Sequence, residues 1–134
     1  MSRSSKFVLR SGAAQAKGYC LGDGLCEVVY TGPITPAAFS VLKAGVLRET
    51  RCASSMVLRM DRAMVMLDDD AQADVAPYAG DLPPAAVVSC VERYAYWREY
   101  ARRLAALGVM RAVFLPDHLE LARLWARRHV AVRL

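Results

Sequence analysis

With 134 residues, 55% of them hydrophobic, the chain is long and apolar enough to fold as one domain around its own core, which excludes a disordered or linker-like polypeptide. No apolar run approaches the ~18–20 residues of a membrane span. The net charge of +5 is unevenly placed: residues 91–134 carry nine arginines and no lysine against four acids, whereas residues 1–90 carry nine basic residues against nine acids.

In chain order, residues 1–6 read as a frayed tail and Phe7–Leu9 as the start of an edge strand. The basic N-terminus lacks the ~7–15-residue apolar stretch of a signal peptide, so a cytoplasmic protein is expected. Lys17–Leu21 and Leu25–Thr31 flank Gly22-Asp23-Gly24 and predict a β-hairpin, whose second arm alternates Cys26, Val28 and Tyr30 with Glu27 and Val29. Thr35-Pro36 opens a helix with threonine as N-cap and proline in the first turn. Phe39, Leu42 and Val46 line one face of it. Gly45 costs about 1 kcal/mol against alanine in a helix interior, which implies a close approach to the sheet.

Ser55–Met60 predicts a strand, and Ala63–Leu67 is a second apolar run that fits a bent strand, a hairpin partner or a short helix equally well. Residues 68–83 carry five acids, Pro77 and Pro83, and read as a long acidic loop placed to contact the Arg-rich half. The last fifty residues read as strand, helix, strand, helix: Ala85–Ser89, Val91–Leu107, Met110–Leu115 and His118–Arg128. Both strands are short runs without alternation, as for strands covered on both faces. In the first helix Val91, Tyr94, Trp97, Ala101 and Leu104 share a stripe. The second opens on a capping box, Asp117 with Glu120, and presents Leu121, Ala122, Leu124 and Trp125 as its buried face. Val130–Leu134 is a final strand or a packed tail.

Cys20, Cys26, Cys52 and Cys90 form no Cys-x-x-Cys pair, so neither a metal site nor a cofactor is expected. Reduced thiols suit a cytosolic chain, although Cys20 and Cys26 flank the hairpin turn and have the alternative of facing each other across it.

The hairpin, the phrase Gly32-Pro-Ile-Thr-Pro leading into a helix, the strand near Met56–Asp61, the Ala/Val strand, the Trp-bearing helix, and Arg111-Ala-Val-Phe114 leading to a helix ending near Trp125-Ala-Arg-Arg resemble the SpoIIAA-like proteins of the STAS superfamily. The resemblance spans roughly residues 14–130 at the level of pattern. It implies a small single-domain α/β sandwich over residues 1–134, with a mixed or mainly parallel sheet of four to five strands and helices packed on it. It also implies regulation by protein contact or binding of a small apolar ligand, as in the Sec14-like lipid-binding relatives. The phosphorylatable residue of the anti-anti-sigma factors has no counterpart here, because Asp61 is followed by Arg-Ala-Met-Val-Met-Leu and no serine or threonine lies between Ser55 and Ser89.

For chemistry, Asp61, Cys90, Asp117 and His118 fall at the carboxyl edge of a parallel sheet, where open α/β sheets bind ligands. No nucleophile elbow or phosphate loop accompanies them. Tyr94, Tyr96, Trp97, Tyr100 and Trp125 offer an aromatic stripe for the core, for a pocket beside the acidic loop, or for a dimer face. The candidate ligand-binding residues are therefore Asp61, Cys90, Tyr94, Trp97, Asp117 and His118, with no catalytic or metal set. The expected function is a non-catalytic regulatory or protein-interaction module that self-associates through helix or edge-strand surfaces, with an unknown protein partner. The alternatives are binding of a small apolar ligand or lipid, and a nucleic-acid association through Arg98, Arg102, Arg103, Arg123, Arg127 and Arg128, the least favoured of the three.

Overall fold

A computed structural model describes residues 5–21, 23–51, 53–67 and 82–130. Among them the chain forms seven strands and three α-helices: β1 (Ser5–Ser11), β2 (Ala14–Cys20), β3 (Leu25–Ile34), α1 (Pro36–Glu49), β4 (Ser55–Arg59), β5 (Ala63–Val65), β6 (Ala85–Val88), α2 (Tyr94–Ala105), β7 (Arg111–Phe114) and α3 (Leu119–Arg128). The sheet runs β1-β2-β3-β4-β6-β7, with β5 beside the end of β3. β1, β2 and β3 pair antiparallel, while β3, β4, β6 and β7 pair parallel.

The mixed-sheet α/β sandwich is therefore present, but with seven strands rather than four or five. β1 starts at Ser5, inside the expected tail, because Phe7 and Leu9 pack against the core and draw the segment onto β2. β5 settles the choice at residues 63–67 as a short strand, paired parallel with Gly32–Ile34. The readings of residues 1–4, of the acidic segment 68–81 with its contact to the Arg-rich half, and of residues 131–134 lie outside the described residues.

The hairpin is longer than predicted, and Cys20 and Cys26 are joined by a disulfide, correcting the expectation of reduced thiols for this pair. They are direct partners in the β2–β3 register with Cα atoms 4.1 Å apart. Cys90 is free and half-buried.

Strand periodicity divides the molecule into two unequal layers. Cys26, Met56 and Ala85 form one cross-strand row with Arg111, and Val28, Leu58, Val87 and Val113 form the next. These rows face α1 and α2 and belong to the larger core. The intervening residues Val57, Ala86 and Val88 face α3 in a smaller cluster with Ala122 and Ala126.

α1 starts as the sequence predicts, with the Thr35 hydroxyl accepting from the Ala38 amide at 3.1 Å. It buries Phe39, Leu42 and Val46. Gly45 is needed for close packing: a Cβ there would lie 2.7 Å from Leu9 Cδ1 on β1. Gly32 carries a stronger constraint. Its φ is +81°, and a Cβ would overlap the Ala13 carbonyl, which is backbone and has little freedom to yield. Gly32→Ala is expected to lower stability by about 2 kcal/mol or more, read as a shift in the urea midpoint. An unchanged midpoint would mean that the β2–β3 crossing is not held as described.

The two C-terminal helices are shorter than predicted because each is preceded by a 3₁₀ turn, Val91–Arg93 and Pro116–His118. Val91 is exposed, and the buried stripe of α2 begins instead at Trp97 and continues through Tyr100 and Leu104. Asp117 lies within the second turn and makes no side-chain cap, so the expected capping box is absent. The predicted buried face of α3 is corrected in part: Ala122 is buried as expected and Trp125 is half-buried against the same cluster, but the two leucines are not. Leu121 is 53% and Leu124 41% exposed, while Ala122 and Ala126 are fully buried. Two alanines one turn apart let α3 lie close to the sheet, and Arg123 on the same side reaches Glu27 of β3.

Candidate functional site

A partly open cavity lies between α1, α2 and the sheet, with an internal volume of about 50 Å³. Tyr30, Met56, Leu58, Val87 and Arg111 form its sheet side. Phe39, Lys43, Val46 and Leu47 of α1 and Trp97 and Tyr100 of α2 form the walls, and Met60 and Leu82 complete the lining. The local reasons are geometric. Strand alternation places every second residue of β4, β6 and β7 on this side, and a spacing of three or four places the helical residues opposite them.

The polar groups of the cavity are few and biased to one sign. Its lining has two cationic side chains and no carboxylate among the described residues. Arg111 Nη1 donates to the Pro83 carbonyl at 2.6 Å and to the Met110 carbonyl at 2.9 Å. Its Nε is shut off from solvent and has no hydrogen-bond partner among the described residues; nor has the Nε1 of Trp97, a side chain only 2% exposed. Burial pushes the Arg111 guanidinium below its ordinary pKa, with Tyr100 and Tyr30 acting in the opposite direction. Burial likewise pushes the hydroxyls of Tyr30 and Tyr100 upward. Lys43 Nζ stands 5.5 Å from the centre of the Phe39 ring. Trp97 meets Tyr96 and Tyr100 edge to face, at 5.1 and 5.2 Å between ring centres.

Of the six residues singled out from the sequence, Trp97 lines this cavity. Tyr94 is half-buried beneath the Arg98 guanidinium, 5.8 Å from its ring centre. Asp61 follows β4 and is held by Arg59 through contacts of 2.9 and 3.3 Å. Cys90 follows β6, and Asp117 and His118 sit exposed in the turn after β7. These four share the carboxyl edge of the parallel strands, and no hydrogen bond or ion pair joins one to another among the described residues.

Arg111 carried a readable signal that the sequence reading passed over: a lone charge inside a short apolar strand, Met-Arg-Ala-Val-Phe-Leu. Tyr30, Met56 and Val87 carried none beyond strand alternation, because their meeting with α1 depends on how the helix crosses the sheet.

The arginine-rich surface is partly self-neutralised. Glu99 pairs with Arg102 and Arg103, and its carboxyl is held down at about 2, chiefly by the hydrogen bonds from Arg102. Arg123 chelates the Glu27 carboxylate at 2.8 and 3.0 Å and also pairs with Glu120 at 2.5 Å. Its pKa is raised above the ordinary value, chiefly by the Glu27 hydrogen bonds. Three of the arginines considered for nucleic-acid contact are thus already engaged by carboxylates, which weakens a phosphate-binding surface built from them.

No helix among the described residues is long and apolar enough to cross a membrane. No known protein family and no curated protein matches the chain. Among solved structures, it is similar to an uncharacterized DUF3478-family protein from Shewanella loihica PV-4, with a TM-score of 0.48 and 10% identity over 94% of this chain and 95% of that one. That crystal structure is described as having a SpoIIAA-like fold.

Proposed function

We propose that the protein is a non-catalytic binding domain that takes a small, mainly apolar molecule into the cavity between α1 and α2. One observation carries this reading: the cavity has an almost wholly apolar lining, yet two of the side chains that line it, Arg111 and Trp97, hold buried N–H donors without partners among the described residues. Apolar walls with a few fixed polar groups are the usual construction of a small-molecule site, the walls supplying affinity and the polar groups orientation. An enclosed volume of about 50 Å³ holds only a few heavy atoms. The occupant is therefore very small, or anchors one end inside and extends through the mouth. A catalytic role draws no support from the carboxyl edge, where Asp61 is committed to Arg59 and the Cys90 thiol has no hydrogen-bonded base among the described residues.

A regulatory or protein-interaction role, with self-association, is the second reading. It is favoured by Leu121 and Leu124 standing exposed on α3 and by β7, which pairs only with β6 among the described residues and so leaves a sheet edge open. The two readings are compatible, since the cavity lies against α1 and α2 while these surfaces belong to α3 and β7. The disulfide between Cys20 and Cys26 lends no support to a cytoplasmic location, because such bonds are rare there.

Native mass spectrometry of gently purified protein tests the proposal. The expected result is a reproducible extra mass that departs on denaturation. A bare oligomer, with no thermal stabilisation by small apolar compounds, would favour the interaction reading instead.

A further inference from the structure

We infer that the cavity ligand is a small amphiphilic monocarboxylate, with its carboxylate held by Arg111 and its hydrocarbon part lying among Phe39, Met56, Val87 and Trp97. The inference rests on the binding reading above and specifies its chemistry.

Arg111 is a charge without a counter-charge among the described residues. It has its Nε buried, yet among the described residues it forms no ion pair and no Asp or Glu lines the cavity. A buried guanidinium is tolerated when a carboxylate or a full set of acceptors meets it. Here the Pro83 and Met110 carbonyls engage Nη1 alone. They fix the position of the guanidinium without neutralising it. Nε and the Trp97 Nε1 have no acceptor among the described residues, and both side chains belong to the cavity lining. The two nearby phenols do not provide the missing charge, because burial keeps both of them protonated.

Head and body are both constrained. A guanidinium fork matches the planar carboxylate. A phosphate dianion calls for more positive charge and for clustered backbone N–H groups, whereas the lining here is hydrocarbon and aromatic apart from Arg111, Lys43, the two phenols and the Trp97 N–H. Lys43, beside Phe39 on the α1 wall, adds positive potential without a second carboxylate site being required. The small interior limits the enclosed part to the head and a few carbons.

The test uses the unmodified full chain with two probes of equal length, hexanoate and 1-hexanol, titrated by calorimetry at neutral pH. Hexanoate is expected to bind at least tenfold more tightly than hexanol. Arg111→Met is expected to abolish that preference and Arg111→Lys to retain part of it, with circular dichroism and melting curves checking that each variant is folded. Equal affinities for the two probes on the unmodified chain would overturn the carboxylate assignment while leaving the apolar binding reading intact. Absence of binding by either probe would overturn both. The comparison on the unmodified chain decides the matter even if neither variant folds.

Discussion

Replacing Arg123 by leucine is expected to destabilise the protein by about 3–5 kcal/mol, because it leaves the carboxylate of Glu27 buried without its partner. Glu27 is only 5% exposed and sits on β3 beneath α3, where Arg123 holds both of its oxygens. The cost is large against the ~5–15 kcal/mol that holds a typical domain together. Urea unfolding of the single variants Arg123→Leu and Glu27→Leu and of the double variant gives the coupling directly. The double variant is expected to recover much of the loss, since an apolar pair of similar volume replaces a desolvated ion pair at little net cost. A loss below about 1 kcal/mol in Arg123→Leu would show that the pair behaves as a solvated surface bridge.

The second large effect concerns Trp97. Trp97→Ala is expected to cost about 3–5 kcal/mol, the range for deleting a buried aromatic side chain. The ring packs between α2 and the sheet and meets Tyr96 and Tyr100 edge to face. Trp97→Phe keeps a ring in the same place and should cost less than half as much, while removing the buried, unpartnered N–H. Thermal and urea unfolding would separate the two variants. Equal losses would mean that a phenyl ring cannot take over the packing of the indole at this position.

These two residues differ in how far the sequence announces them. Trp97 stands in a helical stripe with Val91, Tyr94, Ala101 and Leu104, and periodicity alone points it inward. The order of strands and helices was legible for the same reason, as was the start of α1 at Thr35-Pro36. Glu27 and Arg123 are 96 positions apart, and nothing local in either segment joins them. Glu27 reads as the polar side of a half-exposed hairpin arm until α3 is laid over it. The two leucines in the expected buried face of α3, beside the correctly placed Ala122, were misread for a related reason. Leucines outrank alanines in hydrophobicity, but Ala122 and Ala126 allow the close approach that the ion pair needs, and Leu121 and Leu124 are turned outward.

The site was legible only in part. The aromatic wall was visible as a stripe, whereas the choice of cavity over sheet edge depends on register. Arg111 lies in one cross-strand row with Ala85, Met56 and Cys26, so its side chain emerges on the α1–α2 side rather than at the edge where Asp61, Cys90, Asp117 and His118 lie. β5 was undecided because three residues are too few for a period; its pairing with Gly32–Ile34 and the hold of Arg93 on the Val65 and Leu67 carbonyls come from distant parts of the chain.

The most direct test of the binding site is methyl-resolved NMR of the full chain titrated with hexanoate. Saturable shifts are expected, centred on Val46, Leu47, Met56, Leu58, Met60, Leu82 and Val87, with the methyls of Leu121 and Leu124 on the far helix unmoved. Shifts centred on α3, or none at millimolar ligand, would contradict binding at that site.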